Sequence, residues 1–176
     1  MRTFTELLAQ YAAYHRDRRN IISHFVGVPL IVFSVGVLLA HPVLGAARAV
    51  ALTPASILFL LASAWYLTRG SAALGVAVSA VVAVLLWLGQ RAADGSVAVW
   101  LGWGVGCFAV GWLIQFIGHW YEGRKPAFVD DLVGLLVGPM FVVAEAMFML
   151  GWNKPLQDEI ERRVGPTTMR DLARIA

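Results

Sequence analysis

Three of the chain's four histidines stand in two short polar stretches, Tyr14 to His24 and Gln115 to Ala127. In the second stretch Gln115, His119 and Glu122 are spaced i, i+4, i+7, so they share one face of a helix, with His119 and Glu122 as neighbours on it. Helix-borne Glu and His at this spacing ligate metal in di-iron bundles, although the same pair also serves as a capping or surface contact. In the first stretch His15 and His24 are nine residues apart, which puts them on opposite faces of one continuous helix. Either they share no ligand, or the helix breaks between them. Asp17-Arg18-Arg19-Asn20 offers such a break, with Asn20 as the expected N-cap of a helix starting at Ile21. A turn there would bring His15 and His24 together. Three histidines with one or two carboxylates point to a metal. Imidazole suits zinc, copper, iron and nickel, and a His/carboxylate set with open positions is the pattern of non-haem Fe(II) oxygenases. The single cysteine, Cys107, excludes an intramolecular disulfide and a cysteine zinc cluster. His41 precedes Pro42 in an expected loop and is not read as a ligand.

The elements that must position these residues are mostly apolar. Of 176 residues 59% are hydrophobic and only 14% charged, against roughly 25% in soluble domains. Mean hydropathy is +0.71. The class is an integral membrane protein. The net charge of +3 is small, and its basic residues flank apolar runs, which suits orientation in a membrane and argues against nucleic-acid binding. The chain starts on an expected amphipathic helix and not on a cleavable signal peptide. Thr3 to Glu6 fits a capping box, and Phe4, Leu7, Leu8, Tyr11 and His15 follow the rhythm of one buried face.

Apolar runs lie at about 25–40, 56–68, 71–89, 97–118 and 132–151, where a crossing needs about 20 residues. The second is short. The fifth carries Gly138-Pro139 and an ionisable Glu145, which predicts a kinked or re-entrant segment. The expected fold is therefore an all-α, multi-pass transmembrane bundle of about four spans, a re-entrant fifth segment and an N-terminal amphipathic helix. With four crossings, twelve basic residues (Arg2, Arg16, Arg18, Arg19, Arg69, Arg124, Lys125, Lys154, Arg162, Arg163, Arg170 and Arg174) share one side. Only Arg48 and Arg91 lie on the other. The richer side should be cytoplasmic. If the fifth run also spans, the split is seven against seven, so the re-entrant arrangement is preferred.

Tyr14-His15, Asn20, His24 and Gly27-x-Pro29, followed by Gln115-Phe116-x-Gly118-His119, Glu122 and Pro126-Ala127, resemble the membrane-bound 2-hydroxy fatty acid dioxygenase family. The resemblance covers about residues 5–155, including Pro139 and Glu145; the stretch from His41 to Gly111 matches only in hydrophobicity. Lys125 stands where the family often has arginine, which keeps the charge. The resemblance implies an Fe(II)-dependent enzyme that shortens a 2-hydroxy fatty acid by one carbon with O2 and without 2-oxoglutarate. It implies His15, His24 and His119 as iron ligands, joined by Glu122 or, as the second choice, Glu145. Asn20, Gln115, Arg124 and Lys125 are the expected substrate contacts, one of the two cations holding the carboxylate. Trp112, Phe116 and Trp120 are expected beside the acyl chain. The partners are then the fatty acid, O2 and the bilayer, in a bacterial inner membrane or a eukaryotic endoplasmic reticulum. Residues 1–155 are expected to form one membrane domain and 156–176 a cytoplasmic tail. Two other readings compete: a non-catalytic membrane scaffold, which needs no stoichiometric metal, and a metal-dependent lipid hydrolase, which turns over without O2.

The charge asymmetry makes a prediction. In a Cys107→Ser background, cysteines introduced at positions 2, 124 and 170 should all be labelled from the same, cytoplasmic face. Labelling of position 170 from the opposite face would rule out the re-entrant fifth run.

Overall fold

The computed structural model describes residues 2–47 and 50–172. Arg48 and Arg174, which entered the charge count above, lie outside the described residues. The helices run in the order α1 (Phe4–Ala12), α2 (Arg18–Leu38), α3 (Pro54–Leu67), α4 (Ala72–Ala92), α5 (Val97–Glu122), α6 (Gly134–Met149) and α7 (Lys154–Val164). A small antiparallel hairpin, β1 (Gly45–Ala47) with β2 (Val50–Leu52), pairs Gly45 with Leu52. This hairpin was not expected from the sequence.

The fold is a helical bundle of membrane type. Among the described residues three helices are long and apolar enough to cross a membrane: α2, α4 and α5, of 21, 21 and 26 residues. The second apolar run forms only the 14-residue α3, about 21 Å long at 1.5 Å per residue and short of a hydrocarbon core of about 30 Å. The fifth run, α6, is followed by a 120° bend into α7, so the pair is a broken span or a re-entrant loop. The bend is built by Gly151 (φ 84°) and Asn153 (φ 47°), both left-handed, and the Asn153 side chain accepts from the Leu156 N–H to cap α7. Large apolar side chains such as Leu60, Leu61, Trp87, Trp103 and Leu113 face outward, as lipid-facing helices require.

The chain forms two compact units. One runs from Pro29 to Trp112. In it α3 packs along α4, and Thr53 with Ser56 forms a reciprocal cap that starts α3. Backbones meet where α2 passes α4: a Cβ on Gly89 would stand 2.5 Å from the Phe33 carbonyl oxygen and 2.7 Å from the Val37 nitrogen. The Trp100 indole N–H donates to the Val37 carbonyl at 2.8 Å, closing a small core of Val37, Ala40 and Ala93.

The other unit comprises the chain up to Val28 and from Leu113 onward. Here α1 packs against both α6 and α7. The Thr3/Glu6 capping box forms as the sequence predicts. The buried face of α1 carries Leu7, Leu8, Tyr11 and, just past its end, His15; Phe4 is only half-buried. The segment after α7 does not stand off from this unit. Thr168 donates its N–H to the Arg16 carbonyl and accepts from the Arg18 N–H, at 2.8 and 2.9 Å.

The close approach at Gly89 predicts a contrast. Gly89→Ala should destabilise the detergent-solubilised protein by about 1–3 kcal/mol through overpacking. Gly102→Ala, which meets nothing within 4 Å, should be neutral or stabilise the helix by about 0.5–1 kcal/mol. Reversible denaturation in mixed micelles measures both.

Candidate metal centre

Between α1 and α2 the chain makes the break that His15 and His24 require, but a different residue caps the new helix. The helix starts at Arg18, not Ile21, and Asp17 takes the cap: its Oδ1 accepts the Arg19 N–H at 2.8 Å and its carbonyl accepts the Ile21 N–H. The expectation that Asn20 is the N-cap is therefore corrected. Asp17 wins because the same carboxylate also takes the Arg19 guanidinium, at 2.7 Å, and the Arg170 N–H, at 2.8 Å. Burial pushes the Asp17 carboxyl up, but these hydrogen bonds outweigh it and hold it at about 2. Its folded-state value lies below the ordinary 3.8, so this clasp contributes fully above that pH and is lost only as pH falls through about 2.

The turn folds His15 back onto His24, and His119 arrives from α5. All three imidazoles are buried, 0%, 2% and 5% exposed. One nitrogen of each lies within 4.8 Å of the others. The His15 and His24 Nε2 atoms are 3.0 Å apart, and the His119 ring centroid is 4.9 Å from that of His15 and 5.3 Å from that of His24. Tyr11 stacks on His15 at 4.1 Å, nearly parallel, and Phe141 covers it from α6 at 5.3 Å.

The backbone settles where the protons are. His15 Nδ1 donates to the Tyr11 carbonyl at 2.7 Å, and His24 Nδ1 donates to the Asn20 carbonyl at 2.9 Å. Each acceptor is the carbonyl four residues earlier, which can only accept. In a neutral imidazole the Nε2 then carries a lone pair. Burial, reinforced by the charge His24 would bring, pushes the His15 pKa well below its ordinary value, so His15 is neutral. When both rings are neutral, their two Nε2 lone pairs face each other at 3.0 Å with no proton between them. That arrangement is repulsive unless a cation sits against both. Imidazole nitrogens bond zinc at about 2.0–2.1 Å, so two nitrogens that share one such ion at a right angle stand about 3 Å apart.

Two buried side-chain oxygens, Asn20 Oδ1 one turn before His24 and Gln115 Oε1 one turn before His119, lack a partner among the described residues. Buried polar groups are rarely left so unless something else satisfies them. The residues present thus fit a first-row metal held by three imidazoles, a donor set compatible with zinc, iron, copper or nickel.

The carboxylates do not join this group; among the described residues it consists of the three histidines. Glu122 clasps the turn instead. Its Oε1 accepts the Arg16 N–H at 3.0 Å, and its Oε2 accepts the Asp17 N–H at 2.8 Å and the Asn20 amide at 3.1 Å. Glu145 lines a separate apolar cavity of about 410 Å³ with Ile21, Phe25 and Met149. Gln115 lies one turn before His119 and is buried. Asn20 also donates to the Tyr14 carbonyl. Arg124 donates to the Ala13 carbonyl at 2.7 Å. Lys125 is tied to Asp130 at 2.6 Å, and Asp130 also accepts from the Tyr14 hydroxyl. His41 stacks edge-on with Trp100 in the other unit and takes no part in the histidine group.

Some contributors escaped the sequence reading. Gly118 is needed for close approach, since a Cβ there would land on Ser23 Oγ and 2.6 Å from Asn20 Oδ1. Tyr11 stands four residues before His15, as Asn20 stands four before His24. That repeated spacing was the available signal for both carbonyl bonds. Phe141 and Arg170 carried no local signal.

A helical membrane bundle with a buried three-histidine centre is the class of protein this arrangement defines. Within it, the chain belongs to the Mpo1-like family, described as 2-hydroxy-palmitic acid dioxygenase Mpo1-like, which matches residues 1–150. It is 34% identical over 158 residues to the 2-hydroxy-palmitic acid dioxygenase MPO1 of Saccharomyces cerevisiae, covering 88% of this chain and 85% of the yeast protein. No solved structure matches.

The clasp predicts how variants divide. Glu122→Gln exchanges one accepting oxygen for a donor and should weaken metal binding by about 10–100-fold without abolishing it, the effect expected of a group that orients ligands. Asn20→Ala should weaken it too. Asn20→Asp, which would restore a cap, should not rescue it, because it sets a second carboxylate against Glu122. Metal titration of purified protein reads all three.

Proposed function

We propose that this protein is an iron-dependent membrane dioxygenase that shortens 2-hydroxy fatty acids by one carbon. The observation that carries the reading is the buried group of His15, His24 and His119, with the Nε2 atoms of His15 and His24 held 3.0 Å apart, in a chain whose family is named for 2-hydroxy-palmitic acid dioxygenase. The overall change balances without another reductant. The hydroxy acid and O2 give the acid one carbon shorter, CO2 and water: the C1–C2 bond breaks, C2 becomes the new carboxyl carbon, and O2 accepts all four electrons.

His15, His24 and His119 would hold the iron, which when bound supplies O2 binding and electron transfer. The protein residues bind and orient. Glu122 and Asp17 keep the turn closed, so the imidazoles stay aligned. Gln115 and Asn20 present buried oxygens with no partner, able to accept from a hydroxyl. Arg124, whose side chain donates to the Ala13 carbonyl and has no ion pair among the described residues, is better placed to meet the substrate carboxylate than Lys125, whose ion pair with Asp130 would have to open. Tyr11 and Phe141 wall the centre on the apolar side and limit water. The membrane supplies the substrate: α2 and α5 would cross it, with the centre toward the cytoplasmic headgroup layer.

Metal analysis of detergent-purified protein should find about one iron per chain. Turnover of 2-hydroxypalmitate to pentadecanoate should require O2. Replacing any of the three centre histidines by Ala should remove most of the iron and the turnover, while His41→Ala keeps both. Turnover under anaerobic conditions would favour a hydrolase, and a folded protein without stoichiometric metal would favour a scaffold.

A further inference from the structure

Beside the histidine turn lies a cavity of about 560 Å³ whose charge the centre does not use. Four arginines line it, Arg16, Arg124, Arg163 and Arg170, with two carboxylates, Asp17 and Glu122. Both carboxylates are committed elsewhere. Glu122 accepts two backbone N–H groups and the Asn20 amide, and Asp17 accepts from Arg19 and from the Arg170 N–H.

The arginines are differently engaged. Arg163 is paired with Glu159. Arg16 donates to the carbonyls of Ala12, His15 and Gly165, and the acids that act on it through space are Glu145, Glu122 and Glu161. Arg124 donates to the Ala13 carbonyl. The Arg170 guanidinium lies over Gly123, in the space a Cβ would take, at a residue whose φ of +68° already favours glycine. Neither Arg124 nor Arg170 has an ion pair among the described residues. Carbonyls orient a guanidinium but leave its charge in place. Guanidinium groups left so match carboxylate or phosphate oxygens in geometry as well as charge.

The placement supports the same ligand. The cavity sits where α2 begins and α5 ends, the ends of two helices of membrane-crossing length. Headgroups of membrane amphiphiles lie at that depth. Its far wall, residues 163–170, lies outside the 1–150 matched by the family.

We propose that this arginine basin binds the oxyanion headgroup of a membrane amphiphile, a carboxylate or a phosphate, with Arg124 and Arg170 as the contacting pair. Naming the carboxylate as that of the hydroxy acid rests on the function proposed above; the oxyanion site does not. The test therefore reads binding and not turnover. Calorimetry on the metal-loaded full chain in a neutral detergent compares palmitate with hexadecanol, which shares its chain length but carries no charge. Short-chain phosphatidylglycerol is the second anionic probe. Wild type should bind palmitate at least about tenfold more tightly than hexadecanol. The Arg124→Gln/Arg170→Gln pair should erase that preference with metal content unchanged. Lys pairs should restore part of it, and Lys154→Gln should leave it intact. If phosphatidylglycerol, and not palmitate, loses affinity in the Gln pair, the basin is a phosphate-headgroup site. Equal wild-type affinity for palmitate and hexadecanol, with no arginine-dependent binding of phosphatidylglycerol, overturns the proposal. So does full affinity for both anions in a metal-replete Gln pair. Should the Gln pair lose its metal, the wild-type comparison of probes still decides.

Discussion

Two hydrogen bonds to backbone carbonyls set the arrangement of the histidine centre on which the rest of the structure converges. By taking the Nδ1 protons of His15 and His24, the Tyr11 and Asn20 carbonyls aim the two Nε2 atoms at each other. A helix offers such a carbonyl one turn back, so the tautomer is set by secondary structure and not by a separate carboxylate partner. The orientation of the rings is held in the same way. Metal-ligating histidines in general need the second nitrogen anchored, to fix tautomer and direction. Here the anchors cost no additional side chains, which suits a site placed among apolar helices.

What holds those helices in register is a second set of bonds from far along the chain. Glu122 reaches from the end of α5 to two backbone N–H groups in the turn, and the segment after α7 adds a backbone bridge through Thr168 and a link from Arg170 to Asp17. The turn between His15 and His24 is thus pinned from both sides. In a low-dielectric setting each of these groups would be costly if left unpaired, and pairing them with one another satisfies the polar islands while arranging the three imidazoles. The requirement for polar satisfaction and the requirement for a rigid centre are met by the same residues.

The apolar surroundings complete the arrangement. Tyr11 and Phe141 lie against His15, and Gly118 lets the α2 and α5 backbones come close enough for His24 and His119 to meet. A larger residue at 118 would push Ser23 and Asn20 aside. The distance between the α2 and α5 backbones here therefore depends on a side chain that is absent, as does the approach of α2 to α4 at Gly89.

The class of fold, the three histidines and the need for a break between His15 and His24 were legible in the amino-acid sequence. Each of those rests on a local or periodic signal: hydropathy over a helix length, the scarcity of polar residues in an apolar chain, and the angular offset of nine residues along a helix. The sequence did not determine the cap. Asp17 and Asn20 are both good N-cap residues, and what separates them is the company each keeps, Arg19 and Arg170 for one, Glu122 and the Tyr14 carbonyl for the other. The hydrogen-bond partners of Glu122 were illegible for the same reason. Spacing puts it on the face of His119, but only the folded chain shows that its oxygens are taken by backbone N–H groups more than a hundred residues away in sequence. The arginines of the C-terminal segment read as cations flanking an apolar run until the bend at Gly151 and Asn153 turns α7 back against α1. Partners that come from distant segments leave no periodicity in either one, so tertiary structure alone decides which polar group satisfies which.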